Sequence, residues 1–184
     1  MKLQNSTVIL LVCLIIIIGL SCKKKSENPI DDLPPVTTSG ANTFGCLVNG
    51  ELFIPKVKSG PLGALRANYD VYNSRPFLSI SARNNQNPGS SDILLFINAS
   101  SIKQGDNYSL TMRNQDNEKS YGIYNYRGPK ESYGTDYNTN DQVTGNIKIT
   151  YFDQYVVSGT FWFDAVSNAG EKVEVREGRF DIKF

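Results

Sequence analysis

The chain contains no histidine, and its 184 residues include only three cysteines and one tryptophan. Without an imidazole there is no Ser-His-Asp triad, no Cys-His dyad, no His-ligated zinc and no histidine pH switch. Charge bias is equally scarce: 19 Lys and Arg stand against 18 Asp and Glu, far from the basic footprint of a nucleic-acid-binding domain. Phosphate loops, dinucleotide fingerprints, Cys-x-x-Cys pairs and internal repeats are missing too, so no cofactor and no nucleic-acid partner are expected. The length allows one ordinary domain.

What is present begins with an export signature. Lys2 supplies a positive start, Val8 to Leu20 is apolar apart from Gly19, and the small Ser21 precedes Cys22. The run falls short of the roughly 20 apolar residues that span a bilayer. Ile18-Gly19-Leu20-Ser21-Cys22 resembles a bacterial lipobox, with Gly19 where leucine is usual. The resemblance implies a signal peptide over residues 1–21 and lipidation, as with palmitate, of Cys22. Acyl chains contribute about 0.8 kcal/mol per buried CH₂, so more than one gives stable attachment to the membrane. The alternative is an uncleaved signal anchor, for which positive-inside bias would place Lys23, Lys24 and Lys25 in the cytoplasm.

Removing residues 1–21 takes away Lys2 and no acid, leaving 18 charges of each sign. Cys13 leaves with the signal and Cys22 with the lipid, so Cys46 alone remains and no internal disulfide can form. Residues 22–42 are rich in Lys, Ser, Asn, Asp and Pro, with Pro29 and the Pro34-Pro35 pair. This composition reads as a disordered, semi-rigid tether.

From Thr43 to Phe184 apolar residues alternate at period two, and turn residues interrupt them every 8–12 positions. The expectation is a single all-β domain over 43–184. About ten antiparallel strands would form a meander, folded as a two-layer sandwich or flattened barrel, with a closed calycin-like up-and-down barrel as the alternative. Asn49-Gly50 suits a two-residue type I′ turn, which would set Cys46 opposite Phe53 as a small buried apolar residue. Further strands are expected at Leu65–Tyr72, Phe77–Ala82, Ile93–Ala99, Tyr108–Met112, Tyr121–Tyr126, Val143–Phe152, Tyr155–Val166, Val173–Val175 and Phe180–Phe184. A three-residue loop Asn168–Gly170 pairs Phe163 with Val175 and Ala165 with Val173; a one-residue slip would turn that apolar set to water. An odd loop near Asp153 would add Val157, Ile149 and Ile147 to this face, and Phe180, Ile182 and Phe184 would continue it. Phe161, Phe163 and Phe180 are thus structural.

The stretches Asn42–Gly50, Ser158–Val166 and Glu177–Asp181 resemble an uncharacterised family of Bacteroidota lipoproteins. That resemblance implies a lipoprotein of the outer membrane, on its periplasmic or cell-surface face, and brings no activity or ligand.

Three groups of residues could carry chemistry. Asp164 and Glu174 face each other in the expected hairpin register, a spacing open to cation binding or glycoside hydrolysis. Lys172, Arg176 and Trp162 around them describe a solvated charge ladder with a cation–π contact instead. Asp136, Asn138 and Asn140 begin like a calcium loop, but Asp141 stands where glycine is needed and Ile147 where glutamate is needed. Tyr121, Tyr124, Tyr126, Tyr133 and Tyr137 are half of all ten tyrosines and lie among Asn, Gly and Ser, a composition suited to low-entropy binding surfaces. The function expected is therefore a non-enzymatic binding or structural module, meeting a glycan or an envelope protein through these tyrosines. A glycan hydrolase with an Asp/Glu pair and a barrel around a small apolar ligand are the alternatives.

Overall fold

The computed structural model describes residues 27–57, 63–86, 89–112 and 119–184. The expected signal peptide, Cys22 and the start of the tether lie outside these residues. Eleven strands are formed among the described ones: β1 Thr43–Val48, β2 Glu51–Phe53, β3 Leu65–Tyr72, β4 Arg75–Asn84, β5 Ser90–Asn98, β6 Asn107–Leu110, β7 Tyr121–Arg127, β8 Thr135–Asn138, β9 Gly145–Phe152, β10 Val156–Val166 and β11 Lys172–Lys183. They form one antiparallel sheet in the order β2-β1-β11-β10-β8-β7-β5-β4-β3, with β9 pairing the first half of β10 and β6 pairing β9.

The sheet curls into a half-barrel. Its end strands β2 and β3 are not paired with each other, so the closed-barrel alternative is not realised. The chain just after β2 partly bridges the opening: Lys56 donates its N–H to Arg83 and accepts from Asn85, extending the edge of β4. Alternation builds the interior. Leu78, Ile80 and Ala82 of β4 and Ile93, Leu95 and Ile97 of β5 meet Ile147, Ile149, Val157, Phe163, Val175 and Ile182 from the other wall, all at most 2% exposed. Full burial of such a side chain contributes on the order of 1.5–3 kcal/mol. Between these two walls the interior is packed with side chains. Phe44, Phe161, Phe163 and Phe180 form its aromatic centre, with ring centroids 5.2 to 6.5 Å apart.

The Asn49-Gly50 turn has both residues at positive φ and sets Cys46 opposite Phe53. The Asn168–Gly170 loop pairs Phe163 with Val175, Asp164 with Glu174 and Ala165 with Val173. Other details differ from expectation. The turn at Asp153 has two residues rather than an odd number, because Asp153 N–H bonds Val156. A bulge at Thr150 restores the parity, so Ile147 and Ile149 still face inward with Val157. Gly178 does not separate two strands: β11 runs through it with a bulge, spending Arg176 and Glu177 opposite Trp162 alone. The third expected face member beyond it, Phe184, is 42% exposed, beside Phe152 and Tyr69. β8 was not expected, since its sequence Thr-Asp-Tyr-Asn has one apolar residue and loop composition.

The described part of the expected tether does not stand free. A short 3-10 helix, Pro29–Asp32, leads to a buried Leu33, and the following residues lie along β11. Composition predicts a spacer here because its backbone partners come from a strand over 140 residues away.

Candidate functional site

β7 alternates inward and outward. Gly122, Tyr124 and Tyr126 point to the interior, and Gly122 lies close against a core ring: a Cβ there would be 3.2 Å from Phe163. Past that contact the interior opens into a cleft of about 600 Å³, within the range of ligand sites. Tyr124 and Tyr126 of β7 and Tyr137 of β8 form one wall; the β1–β2 hairpin, through Val48, Asn49, Glu51, Leu52 and Phe53, forms the other. Ser90, Ser91, Asn84, Lys172 and the buried Val173 complete the lining. Tyr137 pairs with Tyr124 across the strands, at 5.8 Å between ring centroids.

Burial, with the neighbouring Tyr126 and Tyr137 hydroxyls, pushes the Tyr124 phenol up to about 12. Burial also raises Tyr137, whose hydroxyl donates to Glu171 at 3.0 Å. Both stay neutral near pH 7. Several polar groups in the cleft are already committed: Asn84 donates to Ile54 O and accepts from Gln86 N, and Asn49 Oδ1 accepts from Glu174 N. Glu51 and Lys172 take part in no ion pair among the described residues. The result is a set of ring faces bordered by hydroxyls, one cation and one anion, suited to holding a polar ligand with apolar faces.

The five tyrosines are thus divided. Tyr124, Tyr126 and Tyr137 come together, whereas Tyr121 is 5% exposed on the outer side of β7, stacked on Phe96 at 4.5 Å. Tyr133 is 88% exposed in the β7–β8 connection and does not line the cleft. Period-two parity separates Tyr121 from Tyr124 and Tyr126. Nothing in local sequence points to Glu51, Ser91 or Lys172, which arrive by tertiary folding.

Asp164 and Glu174 lie outside the cleft on the outer sheet face. Arg176 pairs with both while its guanidinium sits 5.6 Å from the Trp162 ring centre; Lys172, expected in the same ladder, instead lines the cleft. Asp136 accepts from the Asn125 side chain at 2.6 Å, Asn138 pairs with Ile123, and Asn140 Oδ1 accepts from Gln142 and Val143 N–H. Among the described residues no three His, Cys, Asp or Glu side chains group as metal ligands. Cys46 is fully buried, and burial pushes its thiol far up.

A second polar cluster was not expected at all. Asp181, 1% exposed in β11, accepts from Thr37 Oγ1 at 2.6 Å, Ser158 Oγ at 2.7 Å, Gly40 N at 2.8 Å, and Ser39 N and Ala41 N at 3.0 Å. Burial opposes its ionisation. These donors outweigh that and hold the carboxyl well below the usual range.

The model of a family described as a domain of unknown function (DUF6252) matches residues 66–181. The chain belongs to this family. No curated protein and no solved structure matches the chain. The DUF6252 match runs from β3 to Asp181, so it includes the tyrosine wall and the buried acid; the β1–β2 hairpin that forms the facing wall precedes it.

Proposed function

We propose that the chain is a lipid-anchored, non-enzymatic binding module of the outer membrane, attached through Cys22, whose cleft takes a glycan or a segment of an envelope protein. The export signature and Ser21-Cys22 support the anchor. The observation that carries the binding role is the convergence of Tyr124, Tyr126 and Tyr137 from two strands on one open cleft. Rigid aromatic walls give contact area at low entropic cost, and adaptable Ser and Asn groups border them. Among the described residues the cleft lining holds a single carboxylate, Glu51, whereas glycoside hydrolysis ordinarily uses two.

Two measurements test this. Labelled palmitate should enter the protein in bacterial cells, and globomycin should cause the precursor to accumulate; absence of both removes the anchor. Titration of the mature chain with a panel of bacterial glycans and envelope peptides should shift amide NMR signals around Tyr124 and Tyr137. Tyr126→Ala should weaken that binding by about 1–2 kcal/mol, roughly tenfold. Shifts confined to residues away from the cleft would overturn the site.

A further inference from the structure

The course of the N-terminal strap links the anchor to the cleft. β11 runs from Lys172, in the cleft lining, to Lys183 at the opposite end, about 36 Å at the rise of a β-strand. The strap starts at the far end. Asn42 Oδ1 accepts from Lys183 N, and Asp181 binds Thr37 and the N–H groups of Ser39, Gly40 and Ala41. Going back toward the N-terminus, the strap then runs toward the cleft. Pro34 O accepts from Arg179, and Pro34 and Leu33 cover Gly45, where a Cβ would lie 2.6 Å from Pro34 Cδ. The 3-10 helix Pro29–Asp32 finally lies beside β2. β2 is level with Val175 and Arg176 through β1, and its Glu51, Leu52 and Phe53 belong to the cleft.

The chain therefore leaves the domain near the cleft rather than at the distant end where Asp181 holds it. From Pro29 to Cys22 there are seven residue steps, at most about 25 Å when fully extended. We propose that the clamped strap turns the cleft end of the domain toward the bilayer that carries the anchor, so that the cleft opens onto that membrane surface. This rests on the anchor reading above. It gives Asp181 a role: a buried charge fixes the direction in which a short tether leaves. A ligand carried on the same surface meets the cleft at the high effective concentration that a short tether provides.

The test uses the mature chain from Cys22 to Phe184. Because Cys46 is fully buried, a maleimide lipid couples to Cys22 alone and supplies the anchor whatever happens in cells, so a failure of orientation is separate from a failure of lipidation. A fluorescent amino acid is placed at position 126 in the cleft or, in a second protein, at position 155 in the β9–β10 turn at the opposite end; both native tyrosines are exposed. The proteins are coupled to phosphatidylcholine vesicles containing a headgroup-labelled energy acceptor. Transfer from position 126 should exceed transfer from position 155 several-fold, and a long flexible Gly-Ser insertion between Ser26 and Glu27 should reduce that contrast. Equal or stronger transfer from position 155, or a contrast that the insertion leaves unchanged, would overturn the proposal.

Discussion

Asp181 is the residue whose chemistry departs furthest from its neighbours: a buried carboxylate between Phe180 and Ile182 that faces hydroxyls and backbone N–H groups instead of a cation. Hydrogen bonds to charged groups contribute about 1.5–3 kcal/mol, so Asp181→Asn should lower stability by about 2–3 kcal/mol in a urea titration. The sign of the pH dependence follows from its lowered pKa. The native carboxyl stays ionised where the unfolded one, near pH 3.9, takes up a proton. Its stabilisation is thus present above about pH 4 and is lost as pH falls from there through the native value. Thermal melts should show the wild type losing stability on acidification more steeply than Asp181→Asn; parallel profiles would contradict this. Cys46 gives a second residue-level outcome. With its thiol buried and its pKa raised, Cys46 in the folded, unlipidated chain 22–184 should resist a thiol reagent that labels Cys22, and should react only after denaturant is added. The burial of Cys46 was legible from the Asn49-Gly50 turn. Asp181 was not, because an acid on a terminal strand shows no local sign of the partners it meets 140 residues away.

At the scale of elements, the decisive features are the bulges. Alternation identifies which side chains belong inside, and Ile147, Ile149, Val157, Phe163 and Val175 are all buried. The route differs from the expected one, since the two-residue turn at Asp153 and the extra residue Thr150 together give the same parity as an odd loop. Bulges are legible only in pairing, because an extra residue in one strand is defined by its partner. In β11 the bulge places Glu177 at φ 55° and brings Gly178 against Phe161, where a Cβ would lie 2.6 Å from both the ring and the carbonyl oxygen. Gly178→Ala should therefore destabilise by about 1–3 kcal/mol, visible as a lower midpoint in denaturant. A neutral result would mean that β11 can shift here, and the β10–β11 register would need revision. β8 is hidden in the sequence for the opposite reason: it has the composition of a loop and is a strand because β7 offers it an edge.

For the whole molecule, the chain order and the spatial order differ most at the termini. β1 and β11, the first and last strands, are neighbours. β11 also pairs along the whole of β10 and supplies Val173, Val175, Phe180 and Ile182 to the core. Deleting residues 180–184 should abolish cooperative melting; a soluble truncate with a sharp transition would refute that role. The sequence by itself determined the fold class, the faces of most strands, the hairpin registers at Asn49-Gly50 and Asn168–Gly170, and the absence of histidine chemistry. Each of these depends on neighbours in the chain or on composition, so local periodicity and turn chemistry suffice. Only the tertiary structure decided which tyrosines share a cleft, that Lys172 and Glu51 join them, and that residues expected to be a free tether are held by Asp181. These depend on strands distant in sequence becoming adjacent in a curled sheet, and the curl is a property of the pairing of all the strands rather than of any one of them.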